Sequence, residues 1–135
     1  MDFFTIDTVL NQRFYVYFIL YHKSREIVQF VVTRNPTREF VKQQLMEFEQ
    51  TLDHVVYMIH GHAAQFKLNY IVYGIEGIKT SVKAPDMNTL ADRFIGLIRW
   101  EALDYYLMIS EKQIIRILQK YIEYYNSKRP HQGID

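Results

Sequence analysis

Three short runs of aromatic and β-branched residues open the chain: Phe3–Val9, Phe14–Tyr21 and Ile27–Thr33. Such residues suit pleated, half-buried strands. The breaks between them, Asn11-Gln12 and His22-Lys23-Ser24-Arg25, are short and polar, which predicts an antiparallel meander. The period then changes. Asn35-Pro36-Thr37 is a helix-start signal, with Asn35 as candidate cap and Pro36 at the first helical position. Phe40, Val41, Leu45 and Phe48 follow at helical spacing and give that helix one apolar face. Val55–Ile59 reads as a fourth strand, and Gly77–Val82 as a fifth ended by Pro85, with a loop and short helix between Gly61 and Tyr73. Two helices close the chain. Asn88 can cap the first, whose face is Leu90, Phe94, Leu97 and Ile98. Ser110 and Gln113 form a capping box for the second, whose face is Ile114, Ile117, Leu118, Tyr121 and Tyr125. Asn126, Pro130 and Gly133 are expected to end that helix and turn the chain back.

The bulk numbers add limits. With 135 residues, 49% of them hydrophobic, the chain is long enough for one packed domain and too short for two. It contains no cysteine, which excludes disulfides and thiolate metal sites and fits a cytoplasmic location. The apolar run Phe14–Tyr21 is far too short to span a bilayer, no signal peptide is apparent, and no membrane role is expected. A net charge of +1 leaves any nucleic-acid affinity to a local basic patch. The order β-β-β-α-β-(α)-β-α-α contains no repeat or linker, so residues 1–135 are read as a single domain.

Three ordered fragments carry a resemblance. "DFFTID", continued by "RFYVYFILYHKSREIVQFVVTRNPTREFVKQQL", looks like the opening meander and first helix of the catalytic core of insertion-sequence transposases and retroviral-type integrases. "VKAPDMNTLADRFIGLIRWEALDYYL" is similar to that family's segment P-x-x-N-x-x-x-E-R-x-x-x-x-x-R-x-E, and "YIEYYNSKRPHQGI" matches its closing motif. The resemblance implies an α/β, RNase H-like fold: a five-stranded mixed sheet, its first three strands an antiparallel meander, flanked by helices. It also implies DNA integration and transposition by metal-dependent phosphodiester cleavage and strand transfer, with Mg²⁺ or Mn²⁺ as cofactor. The family's helix-turn-helix region, which reads the element's ends, is not in this sequence. The first strand, with only Met1 ahead of Asp2, reads as N-terminally truncated.

The family's chemistry needs carboxylates because two divalent ions activate the attacking oxygen and stabilise the leaving one. Mg²⁺ takes oxygen ligands in near-octahedral geometry, so acids must converge from separate elements. The resemblance places the first at Asp2, the second just after the fourth strand, and the third on the helix beginning near Asn88. Counting back from Phe66 in "HGHAAQF" puts Gly61 at the second position, where there is no side-chain ligand. His60 and His62 flank it, but imidazole is not the usual ligand of an Mg²⁺ phosphoryl-transfer site. At the third position Asp92 stands in place of glutamate, shorter by one methylene and roughly 1.5 Å of reach, against a tolerance of about 0.5 Å for such sites. The remnant catalytic and metal-binding carboxylates are therefore Asp2 and Asp92, metal affinity is expected to be weak or absent, and the core is expected to be inactive.

Basic residues gather in the final third. Lys79, Lys83, Arg93, Arg99, Lys128 and Arg129 are the candidate nucleic-acid contacts, since phosphates are met by such charges. Glu76, Asp86, Glu101 and Asp104 dilute the patch. Expected partners are DNA at the element's ends, a second copy of the chain, or a full-length transposase. The competing readings are a non-catalytic module that binds DNA or poisons an intact transposase, and a decayed fragment without a selected role.

Overall fold

In the computed structural model, residues 1–54, 56–60, 78–82 and 89–134 are described, with the side chains of 56, 59, 78–82 and 128–134 left aside. Strands β1 (Asp2–Asp7), β2 (Arg13–Tyr21) and β3 (Glu26–Thr33) form the meander, in the order β1-β2-β3 and antiparallel throughout. β1 is shorter than its apolar run because Thr8 starts the turn. Its hydroxyl and carbonyl accept the N–H groups of Gln12 and Asn11 at 3.1 and 3.0 Å, with Asn11 at φ 61°. Asparagine tolerates that left-handed geometry better than most residues.

Period-two alternation makes β2 a two-faced core strand. Phe14, Val16, Phe18 and Leu20 enter one cluster, shared with Phe4 and Ile6 of β1, while Tyr17 and Ile19 enter another with Met1. Helix α1 (Arg38–Glu49) covers the second face through Val41 and Leu45. Helices α2 (Thr89–Glu101) and α3 (Glu111–Ile134) cover the first, through Phe94 and Ile98 and through Ile114 and Leu118. The meander is thus the middle layer of an α/β/α arrangement.

Two helix starts depart from expectation. Thr37, not Asn35, caps α1, its side chain accepting the Phe40 N–H at 3.1 Å. At α3, Ser110 Oγ does accept the Gln113 N–H at 3.2 Å. The return bond is shifted one residue back: Gln113 Oε1 accepts the Ile109 N–H at 2.6 Å. The cap expected at Asn88 lies outside the described residues.

The largest departure is at the C-terminus, where α3 continues to Ile134 through Pro130 and Gly133 instead of ending near Asn126. Asn126 is not used as a helix stop because its amide is spent on the sheet. Its Oδ1 accepts the Ile27 N–H at 2.8 Å and its Nδ2 donates to the Ile27 carbonyl at 2.9 Å. This pair of bonds mimics a neighbouring strand at the start of β3. Asn126→Ala should cost about 1–3 kcal/mol, because it leaves two partly buried backbone groups without these bonds. Urea midpoints compared with wild type would check it, and an unchanged midpoint would show that water replaces the amide without loss.

Strands β4 (Val56–His60) and β5 (Ile78–Val82) pair in parallel, with Met58 opposite Thr80. Among the described residues hydrogen bonding divides the strands into a three-stranded and a two-stranded sheet; one continuous five-stranded sheet is not what they show. β4 nonetheless lies beside the meander. Met58 joins the cluster of Met1, Tyr17, Val41 and Leu45, with its sulfur 3.7 Å from the Met1 amino nitrogen. No described helix is long and apolar enough to cross a membrane.

Candidate functional site

Asp2 opens β1, opposite Phe18 of β2. Alternation sets it on the same side of the sheet as Phe4 and Ile6, the side covered by α2 and α3. It is half-buried, and its Oδ1 accepts the Phe3 N–H at 2.8 Å. Asp7, the other acid of this strand, is turned to a different task. Its carboxylate takes a two-pronged contact from Arg13, at 2.8 and 3.2 Å, on an open surface. The Arg13 hydrogen bond holds the Asp7 carboxyl below its ordinary range.

Asp92 stands in the first turn of α2, where a negative charge favours the helix N-terminus. Ala91, Phe94 and Ile98 form the buried stripe of that helix, so Asp92 and Gly96 face outward, as the spacing predicts. A Cβ at Gly96 would meet nothing within 4 Å, so packing does not demand a glycine there.

The relation of the two elements follows from two contacts. The Phe4 and Phe94 rings lie 6.3 Å apart, and one turn further on Arg99 Nη2 donates to the Thr5 carbonyl at 2.8 Å. Helix α2 is therefore held against β1 at Phe4 and Thr5. Asp2 opens β1 and Asp92 stands in the first turn of α2. The second position, Gly61, lies outside the described residues. Its predecessor His60 ends β4 and is buried, with 4% of its surface exposed.

Arg99 has a part that its sequence context does not reveal. Besides its bond to Thr5, its guanidinium sits over the Phe4 ring, 5.6 Å from the centroid, and is half-buried. It straps α2 to β1. Arg93 is exposed on the outer face of α2, beside Asp92. Lys79 lies on β5 opposite Tyr57, and Lys128 and Arg129 lie in the last turns of α3, but the directions of their side chains are outside what is described. Lys83 is outside the described residues altogether.

Among the described residues no three histidine, aspartate or glutamate side chains come close enough to hold a metal.

The fold is that of an α/β domain, a three-stranded antiparallel meander between helices. The family model described as integrase core domain matches residues 73–135, a segment that includes β5, α2 and the whole of α3. Over that segment, just under half of its length, the chain is similar to the integrase core domain. No curated protein matches it. Such cores act in DNA integration and recombination and typically use divalent metals.

The sequence pattern missed one further surface. Val9 and Leu10 of the β1–β2 turn, and Tyr105, Tyr106, Leu107 and Ile109 between α2 and α3, are all more than half exposed. The Val9 N–H donates to the Met108 carbonyl at 2.9 Å, which ties the two loops together and brings these side chains into one neighbourhood. Interleaved apolar residues in both loops were the available signal.

Proposed function

We propose that this protein keeps the scaffold of an integrase or transposase core and has lost its phosphodiester chemistry. The observation that carries the reading is the motif order, in which Gly61, with no side chain to offer, stands between Asp2 of β1 and Asp92 of α2. The two sheets are read as parts of the five-stranded mixed sheet of RNase H-like folds, parted between β1 and β4. Arg93, with Lys79, Lys83, Lys128 and Arg129, is assigned to DNA phosphates; Arg99 is assigned to holding α2 on β1 as well.

A nicking and strand-transfer assay with Mg²⁺ or Mn²⁺ on the element's ends tests the loss of chemistry. No product above background is expected, and robust turnover abolished by Asp92→Ala would sink the proposal. The site assignment has its own test. The double change Gly61→Asp and Asp92→Glu restores the ligand count that two-metal chemistry uses. It should raise Mn²⁺ affinity at least tenfold in calorimetry, on the order of 1.4 kcal/mol. An affinity equal to wild type would show that the three positions do not converge.

The exposed apolar neighbourhood of Val9, Leu10, Tyr106 and Leu107 favours a second reading, in which the core acts by joining another subunit. Contiguous apolar surface of this kind marks association sites. Light scattering should then show a homo-oligomer, or a mixed one with an intact transposase, that Leu107→Glu disperses. A strictly monomeric chain in both settings removes this reading.

A further inference from the structure

The connection from α2 to α3 and the β1–β2 turn hold apolar side chains outward on backbones that are tied in place. Gln113 clamps the first. Its Nε2 donates to the Leu107 carbonyl at 3.0 Å and its Oε1 accepts the Ile109 N–H at 2.6 Å. Met108, between them, is buried, and its carbonyl accepts the Val9 N–H at 2.9 Å. The turn is closed on itself, with the Gln12 and Asn11 N–H groups both bonded to Thr8. On this fixed frame Leu107 is 75% exposed and Leu10 is 71% exposed. Turning either loop inward would break these bonds.

Val9, Leu10, Tyr105, Tyr106, Leu107 and Ile109 are each more than half exposed. Together they present roughly 700 Å² of mainly apolar surface, above what most monomers leave in one patch and near one partner's share, about 800 Å², of a standard interface. Charge narrows the choice of partner. From Thr8 to Gln12 and from Tyr105 to Ser110 there is no charged residue. Exposed charges stand just outside these segments in the chain, and they are of both signs: Asp7, Arg13, Asp104, Glu111 and Lys112. An uncharged centre within a polar rim is the anatomy of an interface. A rim of one sign would call for an opposite partner and repel its own copy. A rim of both signs can face itself.

We propose that this patch joins two copies of the chain about a two-fold axis, with the Val9–Leu10 turn of each copy against the Tyr105–Leu107 segment of the other. Such pairing is closed, because one patch serves both copies and no apolar face is left for further growth. The pairing rests on the reading of the core as a subunit that joins another, and it fixes that other as a second copy. It does not depend on whether the core cleaves DNA.

Sedimentation equilibrium of the whole chain tests the pairing, and a dimer is expected. Leu10→Asp and Leu107→Glu should each raise the dimer dissociation constant at least tenfold and leave the circular dichroism spectrum unchanged, since both sites are exposed in the single chain. Cross-linking locates the contact. The chain has no cysteine. Asp104→Cys treated with a short bismaleimide should therefore give covalent dimers, whereas Tyr57→Cys, at an 86% exposed position on β4, should not. A monomer at every concentration would overturn the proposal. If that monomer still formed a mixed assembly with an intact transposase that Leu107→Glu disperses, the broader reading would stand and the two-fold pairing would fall. Undiminished dimers in both charged variants, or cross-linking in Tyr57→Cys but not in Asp104→Cys, would place the contact elsewhere and overturn it too.

Discussion

Replacing Phe94 by alanine should destabilise the protein by about 3–5 kcal/mol, a large part of the stability of a domain this size. Phe94 has no exposed surface. Its ring meets Phe18 and Tyr125 at 5.0 Å, Phe4 at 6.3 Å and Tyr121 at 6.5 Å, so it joins α2 to both the sheet and α3. Those partners are held by the backbone of β1, β2 and α3, and they cannot all close over the void. The expected result is a cooperative urea transition at much lower denaturant, or loss of the folded state. Phe94→Leu keeps most of the apolar volume and should cost well under half as much. If the alanine variant lost less than about 1 kcal/mol, the packing of α2 on the meander would be wrong.

Alkaline pH should unfold the protein through Tyr17. This side chain has no exposed surface, and its hydroxyl meets the Met1 sulfur at 3.3 Å, a weak acceptor. Burial pushes its ionisation far above the ordinary tyrosine range of about 10. The sign follows from proton linkage. The folded state keeps the phenol proton and the unfolded state loses it above pH of about 10, so the unfolded state binds fewer protons there. Stability is fully present below that pH and falls above it, by up to about 1.4 kcal/mol per pH unit from this group alone. Unfolding free energies between pH 9 and 12 should show that slope in wild type. It should be shallower by one proton in Tyr17→Phe, which removes only the weak contact to sulfur at neutral pH. Parallel curves for the two proteins would mean that Tyr17 is not buried in the α1-side cluster.

The two predictions probe the two faces of one strand, and they show what was legible in the chain. Alternation along Phe14–Tyr21 marks a strand with apolar groups on both sides, and the helical spacing of Leu90, Phe94 and Ile98 marks a helix that packs on one of them. Both readings depend on neighbours close in sequence, which is why periodicity finds them. The candidate site was legible only as motif order. Asp2, Gly61 and Asp92 stand far apart in the chain, and spacing alone does not bring β1 and α2 together. The second part played by Arg99 was hidden for a related reason. A basic residue on a polar face looks like a phosphate contact until the Thr5 carbonyl and the Phe4 ring are placed beside it. Asn126 looked like a helix stop, yet its amide serves a strand almost a hundred residues earlier, which no local rule describes.

By itself, then, the sequence determined the element order, the meander, the apolar faces of the helices and the carboxylates left in the motif. These follow from side-chain period, capping residues and the presence or absence of a ligand atom. Tertiary structure alone decided that Arg99 and Asn126 bond to the backbone of the sheet, and that among the described residues β4 and β5 pair with each other while Met58 packs into the α1-side cluster of the meander. Each of these depends on contacts between groups distant in the chain, whose free energies exist only once the packed layers hold them together.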